Sequence, residues 1–470
     1  MLRVSVLERG RIERAEELAP GDPWDRFGTH ERRRIPAALF DRLQRAEGAR
    51  EDRGERPIFT WGRDRAQVGP WVGVLQVPGL QLELLPKTDD REIRDGEQVD
   101  EVRANLLHML ELAGLTPARE RGTADLGARR GMIHDQLAAR FVARLLMELR
   151  RGADRTYSNE EGNLLAMRGK LLLARQMTVN AAHRHRFYCS FDALGEDTPI
   201  NRTLRCACDL LRRWALPPPV QRGVQEAAAL LDEVPPLRDP ANPPSVGFTR
   251  QNERFKEVFE FAVLLLSGLT PDLRAGPNRT FALLFDMDKV FEGYIAQFLK
   301  RYVVPEIPGL QLFPQAREHR EYLFLSSREE DGQRALQLAP DLLFRMDLGP
   351  DLAMLIIDTK WKRLDPTGGS RPSNTDLYQL YAYLHRYGCK RAFLLYPRVD
   401  GVREAGYRAM GPGKDNSTGT VGTRFVDLRV RLWTAAGRAA LAKELDTIVR
   451  QGFCLAPAAP GGGGLVEASP

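Results

Sequence analysis

Asp341, just after Pro340, and the run Ile356-Ile-Asp-Thr-Lys-Trp-Lys362 place two carboxylates and a lysine where the chain reads as the open ends of neighbouring strands. Met354 to Ile357 is a short apolar run suited to a buried central strand, and polar residues follow it at once. Side chains alternate faces along a strand, so Asp358 and Lys360 are expected to point the same way, roughly 6 to 7 Å apart, with Thr359 pointing away. Leu-Gly-Pro-Asp at 348 to 351 supplies turn chemistry and makes Asp341 to Asp347 the preceding antiparallel strand. Pro340 fits only at a strand's start, which puts Asp341 at the same end as Asp358. Hydrolysis of a phosphodiester needs such a set: carboxylates hold Mg²⁺, the metal lowers the pKa of its bound water, and a cation offsets charge in the transition state. Asp341 and Asp358 are then the expected metal ligands and Lys360 the cation. Alone, an Asp-x-Lys at a strand end more often forms a solvated turn with a surface ion pair, so the neighbouring elements decide.

On the N-terminal side, Met287, Val290, Phe291, Tyr294, Ile295, Phe298 and Leu299 recur at helical spacing, and Glu292 borders their stripe. It reads either as an ordinary solvated glutamate or as a third carboxylate reaching the metal. On the C-terminal side, Pro372 to Thr375 offer capping residues for a helix from about Asp376 that stops at Gly388, and Arg391 to Tyr396 resume as a strand. Gln379 and Tyr383, four residues apart, share one face of that helix. Tyr378, Tyr381 and Tyr387 are compatible with plain core.

Helix, strand, turn, strand, helix, strand, carrying Glu292, Asp341, Asp358, Lys360, Gln379 and Tyr383 in that order, resembles the PD-(D/E)xK nuclease superfamily, and the Gln-x-x-x-Tyr spacing resembles its RecB-like branch. Phe-Asp-Met-Asp-Lys-Val-Phe-Glu at 285 to 292, Ile-Ile-Asp-Thr-Lys-Trp-Lys at 356 to 362 and Asp-Leu-Tyr-Gln-Leu-Tyr-Ala-Tyr at 376 to 383 look like the McrC family. So do Val77 to Lys87, Met167-Arg-Gly-Lys170 and Asp197-Thr-Pro-Ile-Asn-Arg202, so the resemblance spans nearly the whole chain. Asp358 stands where many members of the wider superfamily carry Glu. The resemblance implies an Mg²⁺-dependent endonuclease subunit acting on double-stranded DNA in a hetero-oligomeric complex with an AAA+ GTPase, McrB, whose hydrolysis it stimulates and which reads the methylated cytosine. It also implies that Asp341 and Asp358, with the Thr359 carbonyl and Glu292, hold the metal. Lys360 would orient water or stabilise charge, with Gln379 and Tyr383 positioning DNA or the lysine. No complete phosphate-binding loop is present: Gly411-Pro-Gly-Lys lacks the first glycine spacing and has Asp after the lysine.

A chain of 470 residues, 43% hydrophobic and 28% charged, is expected to form an α+β multidomain protein. Short alternating runs suggest a β-rich domain over residues 1–97, interrupted by charged loops at 45–56 and 88–97. The resemblance makes this domain the partner-interaction domain. Helical periodicity suggests a mainly helical middle domain over 98–269, with Pro-rich loops at 217–219 and 235–244. The α/β nuclease domain follows over 270–450, then a disordered tail over 451–470. A net charge of +6 is compatible with DNA contact but weakly diagnostic. Five cysteines without regular spacing read as reduced thiols, and with no apolar signal region or membrane-length apolar run the expected location is the cytoplasm.

His183, His185, Cys189, Cys206 and Cys208 are zinc-ligand types close in sequence. However, Cys206 and Cys208 fall in a predicted helix and project about 200° apart, so core thiols and surface histidines are the better reading. The run His183 to Tyr188 mixes cations with aromatics and could touch phosphates. Arg317, Arg320, Lys362 and Arg363 are closer in sequence to the proposed active site. Two other functions compete: a non-catalytic activator or scaffold of the AAA+ partner, and a stand-alone DNA repair or processing nuclease.

Overall fold

The computed structural model describes residues 2–16, 32–52, 54–88, 96–117, 131–268, 281–317, 319–325, 334–347, 352–364, 371–411 and 417–455. The expected turn at 348–351, Gly411-Pro-Gly-Lys beyond its first residue, and the tail from 456 lie outside them. The chain forms two compact units, residues 1–115 with 284–470, and residues 116–283.

The first unit begins with β1 (Leu2–Leu7), β2 (Arg11–Ala15), β3 (Arg32–Pro36), α1 (Ala37–Glu51), β4 (Phe59–Trp61), β5 (Arg65–Val68), β6 (Trp71–Val77), β7 (Leu80–Leu85) and α2 (Gly96–Leu112). In one sheet β7 lies between β1, which it pairs in parallel, and β6, which it pairs as an antiparallel hairpin across Pro78-Gly79. The order β3-β2-β5-β4 makes a second. Residues 45–51, expected as part of a loop, are the end of α1. That helix buries only Phe40, Leu43 and Glu47, a stripe too thin for an apolar period to show in a charged segment. α2, whose periodicity matches that of the middle helices, falls in the first unit. There the Asn105 amide donates to the Leu428 and Val430 carbonyls, both at 3.0 Å, and accepts from Leu432 N at 2.9 Å.

The second unit contains α3 (Ile133–Arg150), β8 (Thr156–Leu164), β9 (Lys170–Leu171), α4 (Leu173–Val179), β10 (Phe187–Gly195), α5 (Pro199–Leu211), α6 (Pro218–Leu230) and α7 (Lys256–Ser267). It corrects two expectations. Within the region expected to be mainly helical, residues 156–195 form an antiparallel sheet, β8-β10-β9, interrupted only by the short helix α4. β8 is largely exposed, so neither of its faces carries the apolar alternation by which a half-buried strand is recognised. The prolines at 217–219 do not break a helix but open one: Pro217 caps α6 and Pro218 and Pro219 occupy its first turn, where a missing N–H costs nothing.

From β11 (Phe281–Asp286) the chain continues through α8 (Met287–Tyr302), β12 (Leu310–Pro314), β13 (Glu321–Leu325), β14 (Arg334–Leu338), β15 (Leu342–Asp347), β16 (Leu352–Thr359), α9 (Asn374–Tyr387), β17 (Arg391–Pro397), β18 (Gly406–Met410), β19 (Ser417–Val426) and α10 (Ala435–Phe453). Six strands form one mixed sheet in the order β12-β15-β16-β17-β19-β18, with β16, β17 and β19 parallel at its centre. These central strands carry apolar residues on both faces because both are covered. Ile356, Leu343, Ala392, Leu394 and Phe425 pack with Leu380, Tyr383 and Leu384 of α9. On the opposite face, Leu355 lies so close to Gly452 of α10 that a Cβ there would overlap it. α9 starts at Ser373, whose hydroxyl accepts from Asp376 N, and ends at Gly388 in the left-handed region (φ 65°), where a residue without Cβ is favoured.

Candidate active site

Strand register sets the two carboxylates side by side. β15 and β16 pair antiparallel with Leu342 opposite Ile357, so one step further Asp341 stands opposite Asp358. Opposed residues share a face and bring their side chains into contact range. The face is set by alternation: Ile356 and Leu343 point toward α9, hence Asp358 and Asp341 do too. Asp358 is almost completely buried, while Asp341 keeps some exposure.

Lys360 also turns to this face. Its Nζ stands 2.7 Å from Asp358 Oδ2 and donates to Gln379 Oε1 at 3.1 Å, and Gln379 Nε2 donates to Tyr383 Oη at 2.7 Å. Gln379 and Tyr383, one helical turn apart on α9, therefore form a single bracket behind the lysine. Thr359 corrects its expected orientation: both its amide and its hydroxyl donate to Asp341 Oδ2, at 2.7 and 2.6 Å. Strict alternation fails because β16 ends at Thr359, which frees the side chain to reach across to the neighbouring strand.

Electrostatics make the site a strained home for negative charge. Burial, and then the facing Asp341, raise the Asp358 pKa. Burial raises Asp341 too, against the two Thr359 hydrogen bonds and the Lys360 charge. Burial opposes the charge on Lys360, but Asp358 and Asp341 together raise its pKa, so it stays an ammonium. Glu292 on α8 belongs to the same field: burial and then Asp341 raise its pKa, and it accepts from Gln315 Nε2 at 3.0 Å. Gln315 N in turn donates to the Asp341 carbonyl at 2.7 Å. Asp341, Asp358, Glu292 and Lys360 thus share one field. Asp358 Oδ2 is buried and accepts no well-directed hydrogen bond, only the ion pair with Lys360. A divalent cation would relieve both features, and Mg²⁺ commonly takes only one or two carboxylates and fills its shell with water and phosphate. Among the described residues no three His, Cys, Asp or Glu side chains form a group that could hold a metal ion by themselves.

Several contributors escaped the sequence reading. Asp288 lies one turn before Glu292 on α8, accepts a hydrogen bond from the Trp361 backbone and adds its charge to the field at Asp341. The i, i+4 spacing from Glu292 was its available signal. Gln315 had none, since only the β12–β15 pairing brings it beside Asp341. Trp361 Nε1 donates to Glu8 Oε1 at 2.7 Å, a contact between residues 353 positions apart. Of the proposed phosphate contacts, Arg317 donates to Gln315 and Lys362 to Asp376. The zinc-type residues do not converge: Cys189, Cys206 and Cys208 are buried, and burial pushes the Cys208 thiol up to about 12. The His183 and His185 rings pack edge to face, 6.0 Å apart.

A second feature lies in the other unit. Tyr157, Leu165, Met167, Leu173, Met177, Val179 and Leu194 all expose large apolar side chains, Tyr157 to 73% and Met177 to 76%. All belong to the β8-β10-β9 segment, and α4 buries none of its residues. No helix among the described residues is long and apolar enough to cross a membrane.

A family model described as McrBC 5-methylcytosine restriction system component matches residues 66–397. Among solved structures, a chain of the refined half-complex from the tetradecameric assembly of Thermococcus gammatolerans McrB AAA+ hexamers with bound McrC is similar at 18% identity. The match covers 95% of this chain and 100% of that chain, with a TM-score of 0.65. A chain of the Thermococcus gammatolerans McrBC complex, determined by cryo-EM, matches at 20% identity over 64% of this chain and 88% of that one, with a TM-score of 0.48. No curated protein sequence matches.

Proposed function

The chain belongs to the family of McrBC 5-methylcytosine restriction-system components, and from that premise we propose that it is the nuclease subunit, hydrolysing phosphodiester bonds of double-stranded DNA with Mg²⁺. The carrying observation is the pair of facing carboxylates, Asp341 and Asp358, with Lys360 ion-paired beside them at the end of the central strands. Asp341, Asp358 and the Thr359 carbonyl would hold the ion, with Glu292 joining directly or through water. Bound there, Mg²⁺ would acidify a water and polarise the phosphate. Lys360, kept charged by both aspartates, offsets charge building on the phosphate oxygens. Gln379 fixes the ammonium and Tyr383 fixes Gln379, so the cation waits in place rather than searching among lysine rotamers.

Its partner, on this reading, is an AAA+ GTPase, since the structure similar in fold is of McrC bound to McrB AAA+ hexamers. The exposed apolar surface of β8, α4 and β10 is the docking surface we assign to it. Tyr157 and Leu194 face each other across β8 and β10, and large apolar side chains left exposed in one segment mark an interface. That observation favours residues 156–195 over the N-terminal domain as the main partner contact.

The test is cleavage of methylated and unmethylated plasmid by wild type and Asp358→Asn, with Mg²⁺, GTP or ATP, and the AAA+ protein. Cleavage is expected to fall to background in the variant while partner NTPase stimulation persists. Equal cleavage by both proteins would remove this site from the chemistry and leave the activator reading.

A further inference from the structure

Away from the acidic site but within the same unit, Arg9, Arg11, Arg32 and Lys87 line a pocket of about 340 Å³ together with Glu8, Gly10 and Gln67. The pocket is built by the turn from β1 to β2. Arg9 sits there at φ 59°, a left-handed conformation rare for a residue with a Cβ and one that costs on the order of 1 kcal/mol or more. Gly10 N to Leu7 O at 2.9 Å and Val68 N to Gly10 O at 2.9 Å hold the turn in that shape.

The lining carries four cations, Arg9, Arg11, Arg32 and Lys87, and its walls are fixed by contacts to neighbouring segments. Glu8 Oε1 accepts from Lys87 N at 3.1 Å and from Trp361 Nε1 at 2.7 Å, while Arg9 donates to the Trp361 carbonyl at 3.2 Å. Arg32 is ion-paired with Glu13 at 2.6 Å. The Arg11 side chain makes no hydrogen bond or ion pair among the described residues, while its backbone is paired in the sheet. Glu8, the one lining carboxylate among the described residues, is buried, and burial pushes its pKa up to about 7, so it offsets less than a full charge near neutrality. Among the described residues no lining side chain is aromatic or aliphatic, so these walls offer a nucleoside no surface to stack on. Trp361 directly follows Lys360, which puts the pocket wall one tryptophan side chain from the end of β16.

We propose that this pocket is a phosphate subsite, holding a non-scissile backbone phosphate of the DNA duplex while the scissile one lies at Asp341, Asp358 and Lys360. It rests on the nuclease reading above. Guanidinium forks suit phosphate oxygens, and such contacts position a duplex without reading its sequence.

The experiment measures half-saturating DNA for cleavage by the full complex across a salt series, for wild type, Arg11→Ala, Lys87→Ala and Arg11→Lys. Equilibrium binding of the same duplex to the full chain in EDTA is the parallel arm. Each alanine variant is expected to raise half-saturating DNA several-fold, or about tenfold, and to lower the salt slope by about 0.9, the share of one phosphate contact. Arg11→Lys retains the slope. Unchanged slopes in both arms would overturn the proposal, as would loss of NTPase stimulation with DNA dependence intact, which would make the pocket a protein contact. Equal competition by millimolar inorganic phosphate against wild type and Arg11→Ala would also overturn it. Failure of the wild type to cleave would count against the nuclease reading instead, and the EDTA arm would still decide the pocket.

Discussion

In the six-stranded sheet, charged side chains are folded inward. Asp358 is almost fully buried, Asp341 is bonded to Thr359, and Lys360 is held by Asp358 and Gln379. In the three-stranded sheet of the other unit, the reverse holds: Tyr157, Met177 and Leu194 stand in solvent on a layer with little core of its own. Each arrangement opposes what stability alone favours, since buried carboxylates lose hydration and exposed apolar surface orders water. The two departures differ in what would satisfy them. A cation and a phosphate would complete the first; a partner's apolar surface would complete the second. On the function proposed above, the difference separates chemistry from docking within one chain, so mutation should separate the two.

The largest expected effect breaks the docking side alone. Tyr157→Asp combined with Met177→Asp places two charges where desolvated contact is proposed, and hot-spot aromatic and methionine positions carry much of an interface's energy. Partner NTPase stimulation is expected to fall tenfold or more, and partner-dependent cleavage with it, while circular dichroism and Tm of the isolated chain stay as in wild type because both residues are exposed. Asp358→Asn gives the complementary pattern. If the double variant still stimulates the partner fully, residues 156–195 are not the interface.

The same contrast explains what the sequence made legible. Asp341, Asp358 and Lys360 announced themselves because strand alternation and Pro340 constrain their placement, and α9 because Ser373 and Gly388 punctuate it. Gln315 and Glu8 were silent. Their roles come from pairings between distant segments, Pro314 with Leu342 and Glu8 with Trp361, which no local pattern encodes. The three-stranded sheet went unseen inside a region expected to be mainly helical for a related reason. Periodicity detects a face buried by the chain itself, and here little is buried by it. The exposure that hid β8 from the sequence is the same feature on which the proposed contact surface rests.

Within the acidic site, the bracket behind Lys360 should matter less than the acids. Tyr383→Phe removes only the hydroxyl that receives Gln379 Nε2. A single hydrogen bond is worth on the order of 1 kcal/mol net, so the cleavage rate should fall about fivefold if that energy is realised in the transition state. Gln379→Leu, which also strips Lys360 of an acceptor, should fall further. Single-turnover cleavage with saturating partner reads both. A Tyr383→Phe rate equal to wild type would show that Gln379 positions Lys360 without help from the Tyr383 hydroxyl.

The smallest effect concerns a buried charge outside the acidic site. Glu8 is held well above its ordinary value, at about 7, by burial that outweighs its bonds from Lys87 N and Trp361 Nε1 and the nearby charges of Arg9 and Arg363. A carboxyl whose folded pKa lies above its unfolded one binds more protons in the native state. Its contribution to stability is therefore present at low pH and is lost as pH rises through the window from about 4.5 to about 7. Glu8→Gln keeps an oxygen to accept from Trp361 and stays neutral at every pH. Its Tm should match wild type near pH 5 and exceed it by a few degrees near pH 8. A gap of the same size at both pH values would mean that packing rather than charge sets the cost at this position, and the contrast between inward charge and outward apolar surface would then apply to the acidic site alone.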